Sequence, residues 1–309
     1  MDKKTERLVN VARMYYEQDR TQSEIADRYG ISRPMVSKLL KEARDRGIVT
    51  IRINAPKGES GGAPSLMELV GRCFGIYDGV AVPGGPNDQT TNEAVAEAAI
   101  SYLSELGGAS LGIGWGHIIG DVVKHMEQKA KLVPIGTFVC PLIGNGGVGL
   151  KNYHSNELVR SIAEHSGAQP RFIYSPACVL SEQELKLTRE LDSYHEIYHV
   201  WEKLDVALVN IGNFPSVPDF ASEARYGDLL IRQKAVGRIL NYFMDSQGHI
   251  IRSDTDYAIQ IPLELLTRTR HVVGICSANT SPKAFRGALK TGYLKHFIAP
   301  EHVVREALE

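Results

Sequence analysis

Apolar residues between Thr21 and Gly47 recur at the spacing of two short helices separated by a turn. In the first segment Ile25, Ala26 and Tyr29 fall on one helical face. The second segment repeats the pattern at Val36, Leu39, Leu40 and Ala43. Two short amphipathic helices joined by a tight turn are typical of a helix-turn-helix.

The residues that flank these helices are those expected at helix ends. Thr21 with Glu24 three positions later is a capping box, in which each side chain binds a backbone N–H of the first turn. Gly30 supplies the turn, where a positive φ is often needed. Ser32 can cap the second helix, and Pro34 lies in its first turn, where a missing N–H costs little.

The outward face of the second helix is polar and basic. Residues near the N-terminus of such a helix reach base edges, while lysine and arginine hold phosphates. We expect Arg33, Pro34, Ser37 and Lys38 to read bases. The full set of candidate DNA-binding residues is Thr21, Gln22, Ser32, Arg33, Pro34, Ser37, Lys38, Lys41 and Arg52. The alternative is an ordinary helical hairpin with a solvated basic face.

A short strand and a linker are predicted after the second helix. The run Ile48–Ile53 alternates apolar and polar residues, which predicts a β-wing that places Arg52 beside the DNA backbone. Residues 54–64, NAPKGESGGAP, lack apolar periodicity and read as a flexible linker. The predicted domains are therefore residues 1–53, a winged helix-turn-helix, and residues 65–309.

From Ser65 onwards helical and strand-like segments alternate, which predicts an α/β domain with a mostly parallel sheet. Helices are expected at Leu66–Cys73, about Thr91–Glu105 and Glu182–Trp201. In the second of them we expect these side chains to face inward: Val95, Ala98, Ala99, Tyr102 and Leu103. Strands are expected at Gly79–Val82, Val133–Cys140, Val206–Ile211 and His271–Cys276.

Two glycine-containing turns could form a ligand site at the carboxyl ends of these strands. The segment Ser110–His117, SLGIGWGH, ends a strand and opens a helix, so backbone N–H groups could approach a phosphate or a polyol oxygen. The turn Asn210–Asn213 leaves the next strand in a comparable way. A purely structural tight turn is the alternative for each.

Several side chains beside these turns are candidates for the same ligand. Asp245 could accept hydrogen bonds from sugar hydroxyls or serve a β-turn, and Lys283 could pair with an anion or be solvated. Trp115 could stack on a sugar or be buried. The candidate ligand-binding residues are Gly114, Trp115, Gly116, His117, Ile118, Gly212, Asn213, Asp245 and Lys283.

Composition and charge agree with a globular protein that has a basic N-terminal part. Of its residues 43% are hydrophobic and 23% charged. Residues 1–60 carry 13 Lys or Arg and 9 Asp or Glu, a net +4, which leaves −5 for the remainder of a chain of net charge −1. We expect a cytoplasmic protein, because no membrane span or signal peptide is recognisable. The four scattered cysteines predict buried free thiols, with no metal and no cofactor.

Together these segments resemble the SorC family of bacterial transcriptional regulators. The resemblance rests on SKLLKEARDRGIVTIRI, LGIGWGHII, LDVALVNIG, AVGRILNYFMDSQG and the closing GICSANTSPKAFRGALKTGYL. It implies a C-terminal domain with the fold of glucosamine-6-phosphate deaminase and ribose-5-phosphate isomerase. It also implies a sugar, polyol or phosphosugar effector, operator DNA as partner, and a homo-oligomer, commonly a tetramer.

The resemblance also bears on particular residues. Asp245 and Lys283 match the acidic and basic pocket positions of the family. Ile118 stands where relatives usually have a Thr or Ser that binds the effector phosphate, so one phosphate hydrogen bond is missing here. Some relatives form a Schiff base with an aldehyde effector through a lysine, and no such role is assigned to Lys151.

The main functional hypothesis is a ligand-responsive regulator of a carbohydrate operon, in which the effector alters operator affinity or oligomer state. One alternative is a sugar-phosphate isomerase or deaminase with an accessory DNA-binding domain. His117 and Asp245 would be its acid–base candidates, but the sequence shows no acidic and histidine cluster of the kind such enzymes need. A purely architectural DNA-binding protein would leave about 245 residues of α/β domain without a purpose.

Overall fold

The chain forms two compact units, Met1–Gly62 and Ala63–Glu309. The computed structural model describes residues 3–18, 20–45, 48–49, 64–129, 135–147, 149–216 and 225–309. Among the helices of these residues, none combines the length and the apolar character that a membrane span requires.

The described residues of the first unit form three helices, α1 (Lys3–Tyr16), α2 (Gln22–Tyr29) and α3 (Arg33–Asp45). The last two are the predicted helix pair, whereas α1 was not predicted. A small apolar cluster joins all three, and its buried members are Val11, Met14, Ile25, Ala26, Val36 and Leu40. The additional helix completes this cluster, since two short helices alone would leave much of their apolar faces in water.

The ends of α2 have the predicted geometry. The Thr21 hydroxyl accepts a hydrogen bond from Glu24 N at 3.3 Å, and Glu24 Oε2 accepts one from Thr21 N at 2.8 Å. Gly30 ends the helix with a φ of 61°. Of the predicted wing, Ile48 and Val49 are described and lie outside any strand. Arg52 and the rest of the predicted strand fall outside the described residues, as does most of the predicted linker.

The second unit is built on a sheet in which seven strands follow the order β1-β9-β8-β5-β2-β3-β4, and every neighbouring pair is parallel. A hairpin of β6 and β7 pairs antiparallel with the end of β5. The strands are β1 (Gly79–Val82), β2 (Leu111–Ile113), β3 (Phe138–Pro141), β4 (Gln169–Pro170), β5 (Val206–Asn213), β6 (Gly237–Ile239), β7 (Tyr242–Met244), β8 (His271–Ile275) and β9 (His296–Pro300). The mostly parallel α/β sheet was predicted, because such strands read as short apolar runs. The hairpin was not.

Helices precede, connect and follow the strands. Those of the described residues are α4 (Leu66–Phe74), α5 (Asp88–Glu105), α6 (His117–Glu127), α7 (Ser155–Ser166), α8 (Glu182–Glu190), α9 (Asp192–Trp201), α10 (Leu229–Arg232), α11 (Leu263–Arg268), α12 (Pro282–Lys290) and α13 (Glu301–Leu308). A short 3₁₀ turn covers Lys151–Tyr153. Along α5, Val95, Ala99 and Leu103 are buried as predicted, whereas Ala98 and Tyr102 are only half-buried.

The single helix predicted at Glu182–Trp201 is wrong, because the segment forms two helices, α8 and α9. Leu191 between them has φ −68° and ψ 137°, an extended conformation that interrupts the helical hydrogen bonds. The more polar α8 buries none of its residues. In contrast, α9 buries Tyr194, Ile197 and Trp201 at helical spacing. Packing therefore holds α9 more extensively than α8, which contacts the core through the half-buried Leu185.

Two further predictions need correction. The strand expected at Val133–Cys140 is shorter and later, at Phe138–Pro141; residues 133 and 134 are outside the described part of the chain. The four cysteines are free, but only Cys140 and Cys276 are buried, and burial raises the pKa of both thiols. Cys73 is exposed on α4.

Candidate ligand cavity and DNA-binding surface

The two faces of α3 differ in the way a DNA-reading helix requires. On one face, Val36, Leu40 and Ala43 are buried within the first unit. The predicted contact residues on and just before α3 are all exposed, namely Ser32, Arg33, Pro34, Ser37, Lys38 and Lys41. At the start of α2, Thr21 is exposed and Gln22 half-buried. In the described part of this unit the ion pairs are Lys4–Glu42, Arg13–Glu17 and Arg20–Glu24, so they leave the outward cations of α3 to solvent or to phosphate.

A cavity of about 840 Å³ opens at the carboxyl ends of β2, β5 and β8. Its volume lies in the range of small-molecule sites. The lining residues are Gln89, Asn92, Glu93, Gly116, His117, Ile118, Asp121, Lys124, His125, Gln128, Tyr153, Asn210, Ile211, Gly212, Asn213, Pro215, Ser216, Arg238, Ser277, Asn279 and Thr280. Five predicted ligand residues are among them, namely Gly116, His117, Ile118, Gly212 and Asn213. We call this space the effector cavity.

The turn from β2 into α6 supplies one wall of the effector cavity. Gly116 precedes α6 with φ 104° and ψ 175°, a conformation open essentially only to glycine. No side chain caps the helix, so no side chain competes with a ligand for the N–H groups of its first turn. The His117 side chain is exposed at the cavity, whereas Ile118 is 4% exposed. The wall therefore offers backbone donors and an imidazole, but no hydroxyl at position 118.

Two buried polar side chains line the same cavity and were not predicted as ligand residues. Asn210 on β5 is 8% exposed, and its Oδ1 has no hydrogen-bond partner among the described residues. Arg238 on β6 is 6% exposed, and its Nη1 donates to Asn241 Oδ1 at 3.4 Å. Polar residues inside apolar strand sequences, VALVN and VGRIL, were the available signal. Both residues line the cavity, which makes their side chains candidates for ligand contacts.

Two residues of the predicted glycine turn lie outside the effector cavity. Trp115 is fully buried and packs edge-on against Tyr153, with ring centroids 5.8 Å apart. It has no free face for a sugar, so the stacking role predicted for it is wrong. Gly114 donates its N–H to Leu208 O, and a Cβ there would lie 2.9 Å from Leu240 Cδ2. Gly114 therefore serves close packing within the sheet.

Asp245, Lys283 and Lys151 are also away from the lining of the effector cavity. Asp245 Oδ1 accepts the N–H groups of Gln247 and His249 in a β-turn. Burial raises the pKa of Asp245, but these hydrogen bonds outweigh it and the net shift is downward. Lys283 is exposed on the first turn of α12. Lys151 pairs with Glu127 at 3.2 Å. Because the turn already uses the Asp245 carboxylate, the structure favours the turn role.

The charges of the effector cavity are mixed. Glu93 and Asp121 are acidic, Lys124 and Arg238 are basic, and amide side chains lie between them. Burial raises the pKa of Asp121, while the nearby His117 opposes the shift. In the described part of the chain no group of three or more His, Cys, Asp or Glu could hold a metal ion. The lining therefore suits a ligand with many hydroxyl groups, which can donate to and accept from such side chains.

Comparisons with known proteins agree with both surfaces. Residues 63–309 match the Sugar-bind family model, a sugar-binding domain, and residues 5–46 match sigma-70 region 4. The sorbitol operon regulator of Klebsiella pneumoniae is 30% identical, over 93% of this chain and 92% of that protein. The deoxyribonucleoside regulator of Bacillus subtilis is 27% identical, over 99% and 98%.

The full-length crystal structure of the Klebsiella pneumoniae regulator, SorC, superposes with a TM-score of 0.69 and 27% identity, covering 98% of both chains. The likeness thus extends over the DNA-binding and the sugar-binding parts together. These relatives are transcriptional regulators, not enzymes. The chain therefore belongs to the SorC family and is a ligand-responsive, DNA-binding transcriptional regulator.

Proposed function

We propose that the chain regulates a carbohydrate operon by binding a sugar, a polyol or a phosphosugar in the effector cavity. The observation that carries this proposal is the cavity of about 840 Å³, whose lining combines carboxylates, cations and amides and includes the buried Asn210. Sugar hydroxyl groups can both donate to and accept from such side chains. The relatives are named for a sorbitol operon and for deoxyribonucleosides, compounds that contain polyol or sugar groups.

The kind of effector follows from what the cavity offers. Glu93 and Asp121 accept hydrogen bonds from neutral hydroxyls, whereas Lys124, Arg238 and the start of α6 favour an anionic group. Because residue 118 is an isoleucine, the wall that would bind an anion has no hydroxyl at that position. Both neutral and phosphorylated sugars therefore belong in the first screen. Their relative affinities report whether the carboxylates or the cationic groups of the cavity contribute more to binding.

DNA recognition is assigned to the exposed face of α3. Arg33 and Lys38 would contact bases and Lys41 would contact a phosphate, which follows from their places on the helix. A helix-turn-helix reads one half-site, so we propose a homo-dimer or homo-tetramer on operator DNA. Exposed leucines on and beside α8, at Leu187 (57%) and Leu191 (52%), support a contact between copies there.

The effector changes transcription only if it binds one arrangement of the regulator better than another. Operator affinity can change by no more than the ratio of effector affinities for those two arrangements. The relevant quantity is therefore the operator affinity measured with and without a bound effector.

The test is thermal stability of the full chain against sugars, polyols and their phosphates, because a ligand of the folded state stabilises by RT ln(1 + [L]/Kd). We expect at least one compound to raise Tm, and Asn210→Ala to weaken its binding about tenfold. Asn10→Ala, an exposed asparagine of the first unit, is the matched control and keeps full affinity.

The same compound is then added to the protein bound to promoter DNA taken from beside its own gene. A changed DNA affinity supports regulation through the effector cavity. Binding of the compound without any change in DNA affinity would contradict the regulatory role. Unaltered binding of the compound by Asn210→Ala would show that the ligand binds outside this cavity.

A further inference from the structure

A second cavity, of about 760 Å³, lies apart from the effector cavity and shares none of its lining residues. One wall comes from α9, where the rings of Tyr194 and Tyr198 lie 6.4 Å apart. The facing wall comes from residues 250–264, which contribute the buried Ile251 together with Pro262. Aromatic and aliphatic side chains thus face each other across a space of ligand size.

The buried amide of Gln260 lines this second cavity. Gln260 is 5% exposed, and its Oε1 accepts the N–H of Asn241 at 3.0 Å. This bond fixes the orientation of the amide and leaves the Nε2 group as the end that can serve a ligand. Gln260 lines the second cavity, and among the described residues the hydrogen bond of its side chain is made by Oε1, which leaves the Nε2 donor for a ligand.

The position of Gln260 is held by further buried hydrogen bonds. Asn241 is fully buried, and its Oδ1 accepts from Arg238 while its carbonyl accepts from Arg225 Nη2 at 3.4 Å. Arg225 is held in turn by Asp256, a lining residue of the second cavity. A donor fixed in this way needs little reorganisation when a ligand arrives, which favours binding.

These features select a planar ligand with a polar edge. Tyrosine rings bind flat π-systems, whereas a fixed amide donor binds an acceptor in the plane of such a ring. A nucleobase combines a flat aromatic face with acceptors in the ring plane, whereas simple hydrocarbons lack the acceptor. The exposed rim carries both signs of charge, with Arg252 and Asp254, and so accommodates a polar substituent such as a ribose.

We propose that the second cavity is a binding site for a nucleoside, with its base against Tyr194 and Tyr198 and a base acceptor bound by Gln260 Nε2. The site is separate from the effector cavity, and the proposal does not depend on the identity of the effector.

The experiment measures binding of adenosine, guanosine, cytidine and uridine to the full-length protein by calorimetry at concentrations up to about 1 mM of each nucleoside. We expect at least one of them to bind. Gln260→Glu keeps an oxygen for the N–H of Asn241 but removes the Nε2 donor, so it should weaken binding at least tenfold. Gln183→Glu makes the same change at an exposed position of α8 and should bind as the wild type does.

A second variant covers the case in which Gln260→Glu folds poorly. Tyr198 is half-buried at the cavity wall, and Tyr198→Ala removes one stacking surface. Base–aromatic stacking predicts a loss of about five- to a hundredfold in nucleoside affinity. The proposal is overturned if no nucleoside binds, if both variants bind as tightly as the wild type, or if phenol competes as well as the nucleoside does.

Discussion

The buried ion pair between Arg225 and Asp256 gives a stability prediction with a matched control. The Arg225 side chain is 2% exposed and that of Asp256 is 18% exposed. Asp256 Oδ1 accepts from Arg225 Nε at 2.9 Å, and Oδ2 accepts from Tyr226 OH at 2.6 Å. Asp256→Asn keeps the size of the side chain but leaves a buried guanidinium without its counter-charge.

Breaking a buried pair by removing one partner costs about 3–5 kcal/mol. Because asparagine retains one acceptor oxygen for Arg225, we expect Asp256→Asn to lower the free energy of unfolding by about 2–4 kcal/mol. The control is Asp228→Asn, which breaks the Asp228–Arg232 pair at 2.9 Å, where the side chains are 71% and 66% exposed. Solvent screening limits that exposed pair to less than about 1 kcal/mol.

The assay is urea unfolding followed by tryptophan fluorescence. Both tryptophans, Trp115 and Trp201, are buried in the second unit, which also contains both ion pairs. Asp256→Asn should move the midpoint to clearly lower urea at an unchanged slope, and Asp228→Asn should hardly move it. The reasoning is refuted if the two variants lose equal stability, or if Asp256→Asn loses less than about 1 kcal/mol.

Three further outcomes are expected. Thr21→Ala removes one half of the capping box of α2 and costs about 1 kcal/mol, so hydrogen exchange of α2 amides should accelerate about fivefold, which mass spectrometry detects. Gly116→Ala forces an alanine into φ 104° and should destabilise the second unit by about 1–3 kcal/mol in urea unfolding, and a smaller loss would mean that the turn relaxes. Burial lowers the pKa of His296 below its usual 6.5, against the opposing effect of Asp78. The unfolded chain then binds the proton first, so stability should fall as pH drops from about 6.5 through the lowered pKa, by at most about 1.4 kcal/mol per pH unit, and His296→Gln should flatten that dependence.

Local sequence signals predicted the elements that local interactions decide. The caps of α2, the turn at Gly30 and the apolar face of α3 depend on residues within a few positions of each other, and the structure has all of them. The strand at Val206–Ile211 was predicted for a similar reason, since a buried parallel strand is apolar along its length. Segments whose structure depends on distant partners were harder to predict, as the division of one predicted helix into α8 and α9 shows.

The candidate site divides in the same way. A glycine turn at the end of a strand is visible in sequence, and Gly116, His117 and Gly212 do line the effector cavity. Asn210 lay in the predicted turn but, like Arg238, was not among the predicted ligand residues, because the importance of both comes from burial beside that turn, which no local pattern encodes. The signal that the two share was a polar residue within an apolar strand.

Spacing, caps and apolar runs are local properties, so the amino-acid sequence was enough to predict a helix-turn-helix, a parallel α/β domain and a resemblance to a family of regulators. Which polar groups share a cavity became visible only in the folded protein. It placed Trp115 in the core and Asp245 in a turn, and it brought Arg238 from an antiparallel hairpin to the end of β5. The physical reason is that burial and hydrogen-bond satisfaction are set by residues far apart in the chain, and these two quantities decide whether a polar side chain serves the fold or a ligand.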